Sequence, residues 1–169
     1  MHRITLINGD GIGPEISQSV MSIIKASGLE IDWDIQTAGA DVIEKEGTPL
    51  PKRVLDSVKE NKVALKAPVT TPIGKGFRSV NVQLRKDLDL FANLRPCKNL
   101  PAVKTRFENV DLVVVRENTE DLYAGVEEQI DNDTAHSIKI ITRKASERIC
   151  KFAFDYAVKN NRHEVCCVT

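Results

Sequence analysis

The chain has 169 residues, enough for a domain with a substantial core, and its 24 basic side chains balance 24 acidic ones. This balance indicates neither nucleic acid nor a membrane surface as a partner. We expect no membrane span because no apolar run is long enough, and no signal peptide because no basic segment followed by an apolar segment precedes the first strand. The four cysteines, at positions 97, 150, 166 and 167, lack metal-ligand spacing, so a reducing cytoplasm is the expected location.

The first part of the chain alternates predicted strands and helices. Short apolar or alternating runs predict strands at 4–7, 31–35 and 63–65. Helical spacing of apolar residues predicts helices that begin at Pro14, Ala40 and Pro51. In the first of these helices, the residues expected to face the core are Ile16, Val20, Ile23 and Ile24. Short links between strands and helices favour a parallel α/β sheet.

A glycine-rich turn connects the first predicted strand to the first predicted helix. Its spacing is G-x-G-x-G-P, which does not match the G-x-G-x-x-G fingerprint of dinucleotide-binding folds. Asp32 and Asp34 nevertheless follow at about the distance expected of a ribose partner, so a dinucleotide site stays an alternative. For Asp10, inside the turn, we prefer the interpretation as part of a plain tight turn.

The stretch from Thr71 to Pro96 combines a glycine-containing loop, a short amphipathic helix and a strand. Ser79 stands where an N-cap is expected, and Asn81 and Arg85 are one helical turn apart, so they share a face. A helix N-terminus, a hydroxyl, an amide and a guanidinium that converge suit a carboxylate or a phosphate. Arg95 is predicted to end the next strand. The alternative is that the arginines belong to a solvated surface with salt bridges.

Beyond this stretch the sequence predicts β-strands followed by one long helix. A polar crossover between domains is predicted at 98–109 and a strand at 111–115. A β-hairpin is predicted at 124–129 and 136–143, followed by a helix at 144–160 and a last strand at 164–169. Arg116 stands at the C-terminal end of the strand, and an acidic run that contains Glu117 and Glu120 follows it. The residues alone leave open whether this run is functional or only a solvated loop.

Three runs together resemble the isocitrate/isopropylmalate dehydrogenase family of decarboxylating β-hydroxyacid oxidoreductases. They are Asn8–Glu15, Thr71–Pro96 and Val115–Val126, in the family's order and spacing. The resemblance implies an α/β fold with a parallel sheet flanked by helices, plus part of a second, smaller α/β lobe with a β-hairpin arm. It implies that residues 1–95 are the N-terminal part of the large cofactor-side domain. Residues 96–169 would be part of the small substrate and dimerisation domain, with the arm at about 122–143.

The resemblance also implies roles for individual residues. Tyr123 matches the family's catalytic tyrosine, the acid that protonates the product carbon. The residues that match substrate-binding positions are Ser79, Asn81, Arg85, Arg95 and Arg116, and those that match cofactor-side positions are Thr71, Ile12 and Asn81. Family members are longer, and their catalytic lysine and metal-binding aspartates lie further along. We therefore expect an N-terminal part of a longer enzyme, without metal ligands and inactive alone.

The function implied is the oxidative decarboxylation of isocitrate to 2-oxoglutarate, a step of the tricarboxylic acid cycle. NAD, or NADP, would accept the hydride, Mg²⁺ or Mn²⁺ would assist, and the enzyme would be a homodimer or a larger oligomer. Ser79 and Asn81 are polar where isopropylmalate enzymes are expected to carry bulkier apolar residues. The alternatives are a homoisocitrate, isopropylmalate or tartrate dehydrogenase, a non-catalytic regulatory subunit, and an unrelated nucleotide-binding α/β module. Regulatory subunits tend to lose the serine or the tyrosine, which this chain keeps.

Overall fold

The computed structural model describes residues 2–70 and 79–168, and the chain divides into two compact units, Met1–Leu88 and Asp89–Thr169. The first unit contains β1 (His2–Ile7), α1 (Gly13–Ala26), β2 (Ile31–Gln36), a 3₁₀ turn (Ala40–Val42), α2 (Ile43–Glu46), α3 (Lys52–Asn61), β3 (Ala64–Lys66) and α4 (Val80–Asp87). The second contains β4 (Ala92–Lys98), β5 (Asp111–Glu117), β6 (Asp121–Gln129), β7 (Ala135–Ile140) and α5 (Arg143–Lys159). The predicted roles of residues 1–95 and 96–169 as two functional domains stay predictions.

The three strands of the first unit form a parallel sheet in the order β2-β1-β3. Thr5 of the central strand pairs with Asp34 on one side and Ala64 on the other. The central strand is buried in its C-terminal half, from Thr5 to Ile7, because helices connect and cover parallel strands. The parallel α/β sheet predicted from the strand–helix alternation is therefore confirmed.

Helices α3 and α4 supply half of the buried apolar cluster of this unit. Val54 of α3 and Val80 of α4 are completely buried, and both belong to one cluster with Ile7 and Leu84. Burial of a valine side chain contributes about 1.5–3 kcal/mol, so these contacts hold both helices against the sheet. Ser79 occupies the N-cap of α4, as the sequence predicts, although its side chain makes no capping hydrogen bond.

Helix α1 packs through different residues from those predicted. Ile16 and Ile23 are 42% and 69% exposed, whereas Gly13 and Ser17 are buried. A Cβ on Gly13 would lie 2.6 Å from the carbonyl oxygen of Asn8, so the start of the helix touches the backbone of the preceding turn. Position 13 therefore carries glycine because a side chain would not fit there. The predicted core face is therefore wrong at Ile16 and Ile23.

The second unit contains two separate antiparallel pairs, β4 with β5 and β6 with β7. The predicted hairpin is confirmed, but β6 begins earlier than expected, at Asp121, and the register with β7 shifts between Asp121 and Val126. Tyr123 consequently lies within a strand. None of the helices formed by residues 2–70 and 79–168 has both the length and the apolar character of a membrane span.

Two predicted strand positions in the second unit differ from the structure. Arg95 lies in the middle of β4, because pairing with β5 continues to Lys98. Arg116 stands at the C-terminal end of β5, as predicted, and is its next-to-last residue. Residues 164–168, predicted as a strand, have no regular secondary structure. A strand needs a hydrogen-bonded neighbour, and no other described segment pairs with this one.

Candidate active site

The carboxyl ends of β1, β2 and β3 meet at one edge of the parallel sheet, the edge at which open α/β sheets bind ligands. Asp10, in the turn after β1, is buried there, and its carboxylate accepts two backbone hydrogen bonds. The N–H of Ala40, after β2, donates at 2.7 Å, and the N–H of Thr70, after β3, donates at 2.8 Å. One carboxylate thus joins the segments that leave three strands, so Asp10 does more than occupy a tight turn.

Close backbone packing explains two of the glycines of this turn, Gly9 and Gly13. Gly9 has a φ of +69°, and a Cβ there would lie 1.9 Å from the carbonyl oxygen of Pro68. A Cβ on Gly13 would lie 3.0 Å from the same oxygen. These two glycines therefore let the turn approach the segment after β3, and their presence does not require a bound phosphate.

Asp34, one of the two alternative ribose partners, is bound inside the first unit. Its carboxylate accepts hydrogen bonds from the Ser57 hydroxyl at 2.6 Å, from Gln36 at 2.7 Å and from Asn61 at 3.1 Å. The hydroxyls of Ser57 and Thr5 are 2.7 Å apart in the buried interior. These hydrogen bonds, the one from Ser57 foremost, lower the pKa of Asp34. A carboxylate held in this way is structural.

Lys66 is a candidate that the sequence motifs did not mark. It ends β3 at the ligand-binding edge, and its ammonium donates a hydrogen bond to the carbonyl oxygen of Ala67 at 2.7 Å. Burial, followed by the positive charge of Arg85, lowers the pKa of Lys66, although the charge of Asp10 acts in the opposite direction. A lysine with a lowered pKa at a strand end is a functional-site candidate. The sequence offered one indication of Lys66 as a site residue, namely its position directly after the strand predicted at 63–65.

Three predicted ligand contacts lie at or near the start of α4. Ser79 is partly buried, and Asn81 follows in the first turn. The side-chain oxygen of Asn81 is buried and has no hydrogen-bond partner in the part of the chain that the structure describes. Arg85 lies one turn further on and acts electrostatically on Lys66. A buried oxygen without a hydrogen-bond donor is unfavourable, so the side-chain oxygen of Asn81 is suited to accept a hydrogen bond from a ligand. The assignments of Ser79, Asn81 and Arg85 stay predictions.

The two other predicted cofactor contacts are Ile12 and Thr71. Ile12 is the N-cap residue of α1 and is 64% exposed, so its apolar side chain is available to a flat apolar ring. Thr71 lies outside the described residues. Both assignments stay predictions.

In the second unit, Arg95 and Arg116 lie on the same face of the β4–β5 pair. Asn93 is the register partner of Arg116, and Arg95 stands two residues along the same strand, so the side chains share a face. Arg95 donates to the side-chain oxygen of Asn93 at 3.1 Å. The guanidinium carbon of Arg116 lies 5.2 Å from the centre of the Tyr123 ring, a cation–π contact. Two predicted substrate arginines and the predicted catalytic tyrosine thus lie around one strand pair.

The acidic run between Arg116 and Tyr123 is not merely a solvated loop. The carboxylate of Glu117 accepts hydrogen bonds from the Thr119 N–H at 2.8 Å and hydroxyl at 2.6 Å, and from the Glu120 N–H at 2.8 Å. Arg148 of α5 adds a fourth contact at 3.3 Å. Burial by itself raises the pKa of Glu117, but the hydrogen bonds, led by the Thr119 hydroxyl, outweigh it and lower the pKa overall.

Glu120 and Arg148 complete the support of this turn. Glu120 accepts hydrogen bonds from the backbone N–H of Thr142 at 2.8 Å and from its hydroxyl at 2.6 Å. Thr142 is the N-cap of α5, and its hydroxyl accepts the N–H of Ala145. Arg148 donates to Asp89 at 2.9 Å, and its guanidinium carbon lies 4.5 Å from the centre of the Phe91 ring. The turn that joins Arg116 to Tyr123 is therefore fixed from both sides.

The described residues offer no metal centre. No group of three or more His, Cys, Asp or Glu side chains in residues 2–70 and 79–168 is arranged to hold a metal ion. The four cysteines are free thiols, and all of them are exposed.

A parallel α/β unit with cationic and amide groups at its strand ends, and an arginine–tyrosine pair in a second unit, are typical of an α/β enzyme for an anionic substrate. Comparison with known families makes this specific. The model of the isocitrate/isopropylmalate dehydrogenase family matches residues 3–169, and the chain belongs to that family.

Individual relatives agree with this assignment. A protein of Arabidopsis thaliana named as mitochondrial NAD isocitrate dehydrogenase catalytic subunit 6 is 50% identical over 163 residues, which are 96% of this chain and 44% of that protein. A chloroplastic 3-isopropylmalate dehydrogenase of Solanum tuberosum is 48% identical over 163 residues, 96% of this chain and 46% of that protein. A protein of Dictyostelium discoideum, named as a regulatory subunit of mitochondrial NAD isocitrate dehydrogenase, is 48% identical over 168 residues, 99% of this chain and 46% of that protein.

Solved structures give the same result. The isocitrate dehydrogenase of Methylococcus capsulatus superposes with a TM-score of 0.88 at 52% sequence identity, covering 96% of this chain and 49% of that one. The predicted fold class is therefore confirmed. The chain spans about half the length of the four relatives named here, from 44% to 49%.

Proposed function

We propose that the full-length protein oxidatively decarboxylates isocitrate to 2-oxoglutarate. The observation that carries this proposal is the common face of Arg95 and Arg116, with Tyr123 stacked against Arg116 at 5.2 Å. Two forked cations suit a substrate with several carboxylates, because a guanidinium can bind a carboxylate through two hydrogen bonds. A phenol next to them can donate a proton to a carbon of that substrate.

The residues of this chain have separable tasks in that reaction. Arg95 and Arg116 bind and orient carboxylates, and Tyr123 supplies the proton that the product carbon takes up. The turn at 117–120 keeps Arg116 and Tyr123 in position through Glu117. The nicotinamide of NAD or NADP, when bound, accepts the hydride, and we propose that Ile12, Thr71 and Asn81 contact it. The Mg²⁺ or Mn²⁺ ion is proposed for the full-length protein only.

The preference for isocitrate over related substrates rests on the start of α4. Ser79 and Asn81 offer a hydroxyl and an amide, where an alkyl substituent would favour apolar side chains. Sequence identity does not distinguish isocitrate from isopropylmalate as the substrate, because relatives named as isocitrate and isopropylmalate dehydrogenases are 50% and 48% identical to this chain. Homoisocitrate and tartrate stay alternatives. A regulatory subunit is the second candidate function, because a relative at 48% identity carries that name.

The proposed assembly is a homodimer or larger oligomer, with the β6–β7 hairpin contributing to the contact. Apolar residues of this hairpin, Val126 and Ile138, are exposed in the single chain. Several relatives are named as subunits. A cytoplasmic location stays a proposal, since the relatives described above are named as mitochondrial or chloroplastic proteins.

The proposal is tested by following reduction of NAD and NADP in the full-length protein with isocitrate, homoisocitrate, isopropylmalate and tartrate, with Mg²⁺ or Mn²⁺ present or chelated. We expect kcat/KM for isocitrate to exceed the others by at least about tenfold, a difference of about 1.4 kcal/mol. Arg116→Lys removes bidentate binding and should raise KM, whereas Arg106→Lys, at an exposed position, serves as the matched control. Turnover of none of these substrates would refute the proposal. Activity gained only on mixing with a catalytic subunit would favour the regulatory alternative.

A further inference from the structure

Asp10 uses its backbone and its carboxylate to join segments that are distant in sequence. Its carboxylate accepts the N–H groups of Ala40 and Thr70, which are 30 and 60 residues away. Its own N–H donates to the carbonyl oxygen of Pro68 at 3.3 Å, and its carbonyl oxygen accepts the N–H of Gly13 at 2.8 Å. Only 4% of the residue is exposed. Such a buried acceptor has no water to replace a lost partner.

The segment after β2 is adapted to this carboxylate. Gly39 has a φ of +117°, a conformation that residues with a side chain rarely adopt. A Cβ on Gly39 would lie only 2.2 Å from the Oδ2 atom of Asp10. The glycine is therefore required by two independent conditions, its backbone conformation and the space that the carboxylate occupies. The same Oδ2 atom accepts the N–H of Ala40, the next residue.

We propose that Asp10 is a positioning residue for the reaction: it fixes the segment 67–70, which leaves β3 directly after Lys66, relative to the turn that carries Ile12. This inference rests on the proposed dehydrogenase function. The carboxylate does not need to touch substrate or cofactor, because it acts through the backbone N–H of Thr70. Displacements of about 1 Å in a reactive arrangement lower rates by roughly 10²-fold, so a clamp on this segment has kinetic consequences.

The test is Asp10→Asn in the full-length protein. The asparagine keeps one acceptor, but its NH₂ group faces one of the two backbone N–H donors, so one of them loses its partner. We expect amide hydrogen exchange at Ala40 or Thr70 to accelerate by roughly tenfold or more, while the amides of the central strand β1 keep their protection. The matched control is Asp41→Asn, which removes the same charge from an exposed position next to Ala40.

Kinetics separate positioning from support of the fold. Per intact active site, Asp10→Asn should lower kcat/KM by roughly 10–10² and raise KM for the nicotinamide cofactor, whereas Asp41→Asn should leave both unchanged. A merely structural role would lower the melting temperature and the active fraction but leave the KM of the folded fraction unaltered, and that result would overturn the proposal. Unchanged exchange at both amides would overturn it as well.

A second variant keeps the inference testable if Asp10→Asn does not fold. Gly39→Ala leaves the carboxylate in place but crowds it, so it should reproduce the exchange and KM changes. If the wild-type protein turns over no β-hydroxyacid, the proposed function fails separately. The effect of Asp10→Asn on the affinity for NADH, measured by fluorescence titration, then decides the positioning role. Equal affinities, or no binding by either protein, would overturn it.

Discussion

Removal of the Ser57 hydroxyl should destabilise the first unit and change how its stability responds to acid. Ser57 is 5% exposed, and its hydroxyl lies 2.7 Å from that of Thr5 and donates to Asp34 at 2.6 Å. A hydrogen bond to a charged group contributes about 1.5–3 kcal/mol, and alanine regains up to about 0.5 kcal/mol through its helix propensity. Ser57→Ala should therefore lower the free energy of unfolding by about 1–2.5 kcal/mol.

The assay is a urea titration followed by the fluorescence of Trp33, the sole tryptophan of the chain, which lies in β2 beside Asp34. The folded-state pKa of Asp34 is below its ordinary value of 3.8, so its stabilisation is present above pH 3.8 and is lost as the pH falls below it. Without the Ser57 donor this acid-dependent loss should shrink. Ser22→Ala, an exposed helical serine, is the control. Equal unfolding free energies for the two variants, or an unaltered acid dependence, would refute the reasoning.

Three further changes test other parts of the structure. Val54→Ala, at a fully buried site, should lower the free energy of unfolding by about 2–3 kcal/mol, whereas Val63→Ala, at a residue 54% exposed, should cost less than about 0.5 kcal/mol in the same titration. Arg148→Gln should lower the free energy of unfolding by about 1–3 kcal/mol because it leaves Glu117 without its cation. Arg143→Gln, which replaces a side chain that is 90% exposed, should change the free energy of unfolding little. Similar losses in the two variants would contradict the role given to Arg148. Tyr123→Phe in the full-length protein should lower kcat by roughly 10²–10⁴ with little change in substrate affinity, and near-normal turnover with a lower melting temperature would mean that Tyr123 is only structural.

The elements that could be predicted are those whose signal is local. The alternation of short apolar strands with helical spacing was sufficient for a parallel sheet, and Pro51 and Gly47 mark helix ends where the structure has them. The face of α1 could not be predicted in the same way. Its inward residues are Gly13 and Ser17, and Gly13 is required by contact with backbone, which hydrophobic periodicity does not register.

The site was predictable only where a motif recorded it. Arg95, Arg116 and Tyr123 were predicted through the family resemblance, and their roles stay predictions. The common face of the two arginines follows from a strand register, and the contact of Arg116 with Tyr123 from the fold, neither of which the sequence shows directly. Asp10 and Asp34 were judged from their neighbours in sequence. Apart from Gln36, which is next but one to Asp34, the partners of the two carboxylates lie 23 to 60 residues away. A turn aspartate therefore became a buried clamp, and a half-exposed strand aspartate became part of an internal network.

The two hydrogen bonds between Glu120 and Thr142 close the base of the β6–β7 hairpin across a separation of 22 residues. The chain between Glu120 and Thr142 is therefore a closed loop, whose ends are joined by these side-chain hydrogen bonds as well as by the backbone hydrogen bonds between β6 and β7. Closing a longer loop costs only about 0.6 kcal/mol for each doubling of its length. The hairpin tip at Asp131–Asp133 is therefore free to diverge or lengthen among related chains while Tyr123, near the tied end, keeps its place. The proposed partner contact of the hairpin can then change in evolution independently of the proposed role of Tyr123.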